Sequence, residues 1–205
     1  MEDSKLAEDL NHIREVMNRS SRSVSLTGLS PITAGIIGTA GAYVAYSQFF
    51  QVQEAVGLEP MVLSAQSYQL LHQIIWPTLI LGLGLGVLFA WKEISRRRDR
   101  ISKQHIRQLF INLGIPLLSG GLVCLFLFLN GFLGISIGLT LLFYGLALIH
   151  ADKYTLGDIK TLGMLEIALG MCALYFTNYG IICWGIGFGL LNIIYGIIMQ
   201  VKRDS

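Results

Sequence analysis

Apolar residues collect into six runs of helix length, and polar residues are largely confined to the stretches between them. Such a pattern predicts membrane-spanning helices rather than the half-polar faces of a soluble fold. The decisive stretch is Ile111–Ala151, which has no formally charged side chain unless His150 is protonated. As a single helix it would be about 60 Å long, twice the hydrocarbon thickness of a bilayer. It must turn back, and Asn130-Gly131 is the obvious turn dipeptide near its middle. By the same logic Thr177-Asn178-Tyr179-Gly180 divides Thr161–Val201. The expected spans are about Leu29–Phe49, Leu70–Trp91, Leu109–Leu129, Gly131–His150, Leu162–Thr177 and Tyr179–Val201. The fold class is therefore all-α and polytopic, with a transmembrane domain over 25–201 and a short tail at 202–205.

Charge fixes the expected orientation. Lys5, Arg14, Arg19 and Arg22 precede the first run, and Lys92, Arg96, Arg97, Arg98, Arg100, Lys103 and Arg107 separate the second from the third. Lys153 and Lys160 lie between the fourth and fifth, and Lys202 and Arg203 follow the last. These are all fifteen basic residues of the chain. They place both termini in the cytoplasm, by the bias of Lys and Arg toward that face. The expected location is a bacterial inner membrane, with anionic lipid headgroups as partners of the basic face. Arg96–Arg100 is short and lacks interleaved aromatics, so a nucleic-acid partner is not expected. The outer connection Phe50–Gln69 carries Glu54 and Glu59, with Tyr68 and Trp76 suited to an interfacial aromatic belt. Pro77 would kink the second span by freeing the carbonyl of Gln73.

Residues 1–24 read as a separate element. Leu6, Leu10, Ile13 and Met17 recur at helical spacing, acidic residues come first and basic ones last. That pattern predicts an amphipathic helix on the cytoplasmic interface, with pairing to a second copy as an alternative. The opening is charged and polar, so no cleavable leader is expected there.

The chain also repeats. Cys124 to Asn130 aligns with Cys172 to Asn178 at an offset of 48, and Gly138-Leu139 and Tyr144-Gly145 align with Gly189-Leu190 and Tyr195-Gly196 at an offset of 51. The odd-numbered spans open alike, with Gly28, Pro31 and Gly35, then Gly114, Pro116 and Gly120, then Gly163 and Gly170. The expected architecture is three tandem hairpins in one orientation. Gly82 with Gly86, Gly134 with Gly138, and Gly185 with Gly189 stand four apart, and Ala34, Gly38 and Ala42 form a similar stripe. Small residues let backbones approach where apolar burial gives no driving force, so these read as packing faces within the chain, with a homo-oligomer seam as the alternative.

Composition agrees: the chain is 53% hydrophobic and 14% charged, where a soluble domain has roughly a quarter charged. Glu166 is the one formally charged residue well inside a span. Such residues usually face a bundle interior or a water-filled cavity. Tyr144 and Tyr195 lie at similar depth, and Asn192 about one turn deeper than Tyr195. A Glu166–Tyr144–Tyr195–Asn192 cluster would keep the carboxyl hydrogen-bonded and protonated. It reads either as a proton-sensitive gate or polar binding site, or as a helix-packing hydrogen bond. His72, His105 and His150 are dispersed, and Cys124, Cys172 and Cys183 lack metal or disulfide spacing. No metal, cofactor or catalytic set is expected. There is no HExxH, Walker loop or GxSxG, and Gly82-x-Gly84-x-Gly86 has no strand before it.

Arg19-Ser20-Ser21-Arg22 followed by Leu26-Thr27-Gly28-Leu29-Ser30 resembles a group of uncharacterised six-helix inner-membrane proteins of Bacteroidetes-type bacteria. So do Lys153-Tyr154-Thr155-Leu156-Gly157-Asp158-Ile159 and Leu165-Glu166-Ile167-Ala168-Leu169-Gly170. The Gly-rich runs are also similar to those of HdeD-type membrane proteins, a resemblance that implies a link to acid stress. The expected role is a non-enzymatic membrane component, envelope- or stress-associated. The alternative is a small transporter or channel with its polar site around Glu166.

Overall fold

The computed structural model describes residues 28–56, positions 73, 76–78, 80–82, 84, 85, 88 and 92, and residues 103–155 and 159–204. Among these the protein is all-helical, with no strand. Helix α1 covers Leu29–Val56. The described positions between 73 and 92 are all helical and are called α2. Then come α3 (Lys103–Leu129), α4 (Leu133–Ala151) and α5 (Ile159–Tyr175). The last helix, α6, has three parts: α-helical Gly180–Trp184, π-helical Gly185–Leu191 and α-helical Asn192–Asp204.

Three segments, Ile106–Leu129, Leu133–Tyr154 and Thr177–Val201, are long and apolar enough to cross a membrane, which marks the chain as a membrane protein. The surface agrees. Ile115, Leu118, Leu122, Phe126 and Leu129 form an exposed stripe down α3 at helical spacing, a face with no reason to avoid hydrocarbon. Hydroxyls inside the helices turn back on their own carbonyls: Thr39 to Gly35 (2.9 Å), Ser119 to Ile115 (2.8 Å) and Ser136 to Phe132 (2.8 Å). This local satisfaction suits a medium without water.

The turns follow from their residues. Gly131 adopts φ +89°, which a residue with a Cβ rarely tolerates. Its N–H bonds to Phe128 O (3.0 Å) and the Phe132 N–H to Leu127 O (2.9 Å), so α3 ends in a Schellman motif. After α4, the 3₁₀ turn Asp152–Tyr154 leads toward α5, where Asp152 Oδ1 accepts the Lys160 N–H at 3.1 Å. That carboxylate satisfies an orphan donor at the positive end of α5. A second 3₁₀ turn, Thr177–Tyr179, joins α5 to α6.

Two glycine-lined seams hold the helices. In the first, α4 meets α5. A Cβ on Gly145 would stand 2.5 Å from the Gly163 carbonyl oxygen, and one on Gly163 would stand 2.7 Å from the Gly145 oxygen. Gly170 lies as tightly against Gly138, whose oxygen would be 2.9 Å from its Cβ. In the second seam, α1 meets α6. Gly28 and Gly196 oppose each other in the same reciprocal way, and a Cβ on Gly35 would be 2.8 Å from the Gly189 oxygen. Only glycine permits backbones this close, and close approach is what gives helices dispersion contacts in lipid. Among the expected packing glycines, Gly138, Gly185 and Gly189 meet Leu174, Ala42 and Thr39, while Gly134 faces Thr177 and Gly82 only grazes Ile37 at 4.0 Å. Gly86 lies outside the described residues, as do the 1–24 element and Arg96–Arg100.

The helices and the expected spans have different bounds. Helix α1 runs on to Val56 rather than stopping at Phe49, so the first part of the Phe50–Gln69 connection is helical. α3 starts at Lys103 rather than Leu109, and α6 continues to Asp204, into the expected tail. Hydropathy marks where a helix leaves hydrocarbon, whereas the backbone hydrogen-bond ladder continues past that point. Gly131 and Tyr179 belong to turns, not to the spans that were expected to begin with them. Helix α5 covers Ile159–Tyr175, where a span over Leu162–Thr177 was expected.

Candidate functional site

Glycines on one face of α5 bury its carboxyl. Gly163, Glu166 and Gly170 share that face, and the tight α4–α5 seam draws Glu166 inward until it is 0% exposed. Opposite lies the π-helical part of α6. Here Gly187 leaves room: a Cβ on it would stand 2.5 Å from Glu166 Oε2 and 2.5 Å from Leu141 Cδ2. π-Helical turns widen the backbone ladder and often mark functional positions.

Asn192, 2% exposed, begins the α-helical part of α6 and links the site together. Its Nδ2 donates to the Gly187 carbonyl oxygen (3.1 Å) and, at a longer 3.4 Å, to Glu166 Oε1. Its Oδ1 accepts the Tyr144 hydroxyl at 2.9 Å. The structure thus joins Tyr144, Asn192 and Glu166 in one hydrogen-bonded chain from three helices. Tyr195 stands beside it, packed with Tyr144 against Leu148, Ile159 and Leu162. Glu166 Oε2 has no hydrogen-bond partner among the described residues.

One cavity reaches this chain and a second lies next to it. The inner one is lined by Ala34 and Gly38 of α1, Thr78 and Gly82 of α2, Tyr144 of α4, and Trp184, Phe188 and Asn192 of α6. The other is walled by Ala45, Trp76, Cys124, Phe128, Ile137 and Trp184, among others. Trp184, 5% exposed, borders both. The wall aromatics form a ladder: Trp184 to Phe188 with ring centres 5.2 Å apart, Phe188 to Tyr144 at 4.8 Å.

Phe188, Trp184 and Gly187 were not among the residues expected at the site. Two signals in the sequence point to them. Gly185, Gly187 and Gly189 alternate at a spacing that no single α-helical face accommodates, and Trp184 and Phe188 stand four apart, on one face. The histidines stay apart: His150 is exposed and bonded through Nδ1 to the Leu146 carbonyl (2.8 Å), His105 lies in α3, and His72 is outside the described residues. No metal-binding group occurs among the described residues, where Cys124, Cys172 and Cys183 are free thiols.

No protein-family model, curated protein or solved structure matches the chain.

Proposed function

We propose that the protein is a non-enzymatic, multi-pass membrane protein of six spans in three tandem hairpins, which moves a small solute or protons past a polar site centred on Glu166. Both termini are cytoplasmic in this reading and the membrane is a bacterial inner membrane, as the segregation of the basic residues supports. The observation that carries the transport reading is the Glu166 carboxyl. It is wholly buried in an apolar bundle, bonded weakly on one oxygen and to nothing described on the other. Burying such a group costs several kcal/mol, which a purely structural helix contact would not require.

A proteoliposome assay tests it. Purified protein is reconstituted with a pH-sensitive dye inside, and proton flux is followed at two external pH values. The reading expects flux that depends on pH and is lost in Glu166→Gln. One specific observation favours a static role instead: the inner cavity stops at Asn192 and Tyr144, without Glu166 in its wall. Flux that is absent from the unaltered protein, or unchanged in Glu166→Gln, would establish that static role.

A further inference from the structure

The chain enters the bundle against its own last helix. Gly28 is buried, and a Cβ on it would stand 3.1 Å from the backbone nitrogen of Gln200. Residues 1–27 therefore join the bundle beside the end of α6 that carries Lys202 and Arg203. At this entry Gln200 Oε1 is buried and accepts no hydrogen bond among the described residues. A buried acceptor without a donor is unfavourable, and the lead-in to Gly28 supplies donors in Arg22, Ser23, Ser25 and Thr27. On the same stretch of α6, Ile194, Ile197 and Ile198 are 43%, 50% and 48% exposed. An apolar patch, an unsatisfied oxygen and the point of chain entry thus meet at one end of one helix.

The sequence of residues 1–24 complements this end of α6. Leu6, Leu10, Ile13 and Met17 recur at helical spacing, and Glu8, Asp9 and Glu15 outnumber Arg14 between Leu6 and Met17. That acidic balance opposes the charge of Lys202 and Arg203. We infer that residues 1–24 form an amphipathic helix that docks on α6, with Ile13 and Met17 against Ile194, Ile197 and Ile198. The lead-in over 22–27 then donates to Gln200. The depths agree. An interfacial helix sinks its apolar face roughly 5–10 Å past the headgroups. Ile198 and Ile194 stand about 6 and 12 Å along the helix from Lys202. The reach agrees as well, since eleven residues from Met17 to Gly28 span about 16 Å as helix and at most about 36 Å extended. Higher on α6 the exposed stripe continues through Leu190 and Ile186, too deep for an interfacial helix, and lipid covers it there. The docked helix straps the α1–α6 seam, the one of the two glycine-lined seams whose helices are not consecutive in the chain.

The test is oxidative cross-linking of the full chain in lipid nanodiscs, with Cys124, Cys172 and Cys183 replaced. Met17→Cys is paired with Ile198→Cys, and Ile13→Cys with Ile194→Cys serves if the first pair does not fold. Gly134→Cys with Thr177→Cys is the positive control, because a Cβ on Gly134 stands 3.3 Å from the Thr177 Cβ, close to the separation a disulfide spans. Glu15→Cys with Ile198→Cys is the face control, since position 15 lies on the opposite side of a helix from 13 and 17. The expected result is a bridge within one chain that forms about fivefold or more faster than in the face control. Equal rates in the two pairs overturn the inference, because they describe a tethered segment with no docked face. A bridge between two chains overturns it in favour of a second copy on this patch. No bridge while the positive control forms overturns it in favour of lipid.

Discussion

Gly187 lies directly against Glu166, so close that a single methyl group at position 187 would stand 2.5 Å from the carboxyl oxygen Oε2. The same methyl would meet Leu141 Cδ2 at 2.5 Å, so two buried side chains would have to shift for it. The expected outcome for Gly187→Ala is a loss of about 1–3 kcal/mol, the usual cost of overpacking a filled interior. Thermal melting in detergent measures it. If the change leaves melting untouched, then the π-helical segment adapts freely and the Glu166 pocket is not the fixed structure described above.

Replacing Glu166 itself separates shape from charge. Glu166→Gln keeps the volume and an oxygen for Asn192 Nδ2, so its melting should stay within about 1 kcal/mol of the unaltered protein. Glu166→Ala empties a fully buried position and should cost about 2–4 kcal/mol. Melting curves of the two variants side by side give the comparison. Equal losses from both would mean that the charge or proton of Glu166, rather than its bulk, holds the helices.

Tyr144→Phe removes one hydroxyl from the 2.9 Å bond to Asn192 Oδ1 and keeps the ring against Phe188. A buried acceptor is left unsatisfied, which costs about 1–2 kcal/mol. The expected outcome is a modest fall in melting with the aromatic wall intact. A double-mutant cycle with Asn192→Ala checks the origin of the loss. Losses that simply add would show the hydroxyl and amide to be uncoupled.

The seams make a contrast between glycine and leucine. At Gly189 a side chain would run into Thr39, whose backbone nitrogen and Cα lie 3.1 Å from the Cβ position, so α1 would have to move. Gly189→Leu should therefore cost about 3 kcal/mol or abolish folded yield. Leu118, 72% exposed on α3, faces outward, and Leu118→Ala should change melting by less than about 0.5 kcal/mol. Size-exclusion yield and melting of the pair test the assignment, which a tolerated Gly189→Leu would overturn.

Much of this was legible in residue order, for physical reasons. Uninterrupted apolar runs leave helix as the only way to satisfy the backbone, and Asn130-Gly131 offers the one cheap reversal in its run. The grouping of Glu166 with Tyr144 and Asn192 follows from depth alone, because 1.5 Å per residue ranks positions along the membrane normal. Helix partnership was harder to read. A glycine stripe says that a face is smooth, but not that Gly145 will find Gly163 or Gly28 will find Gly196. Here the repeat helps afterwards: Gly138 and Gly145 lead one seam, Gly189 and Gly196 the other, at the same offset of 51. The π-helical segment depends on hydrogen-bond register, which hydropathy does not encode. Trp184 and Phe188 stand four apart on one face, but what that face lines follows from the register.

Orientation in the membrane gives the last prediction. Helix α5 has seventeen residues, about 25 Å of rise, with the 3₁₀ turn Asp152–Tyr154 before one end and Thr177–Tyr179 after the other. Lys153 and Asn178 are both exposed in those turns. The basic residue belongs on the cytoplasmic side if the Lys and Arg bias governs insertion, which puts Asn178 outside. In a background with Cys124, Cys172 and Cys183 replaced, Asn178→Cys should react with a membrane-impermeant maleimide in intact cells. Lys153→Cys should react only after the cells are permeabilised. The reverse pattern would invert the protein, and with it the side from which a solute reaches Asn192. Labelling of both in intact cells would show that α5 does not cross the bilayer, and a buried Glu166 would then need an explanation outside membrane transport.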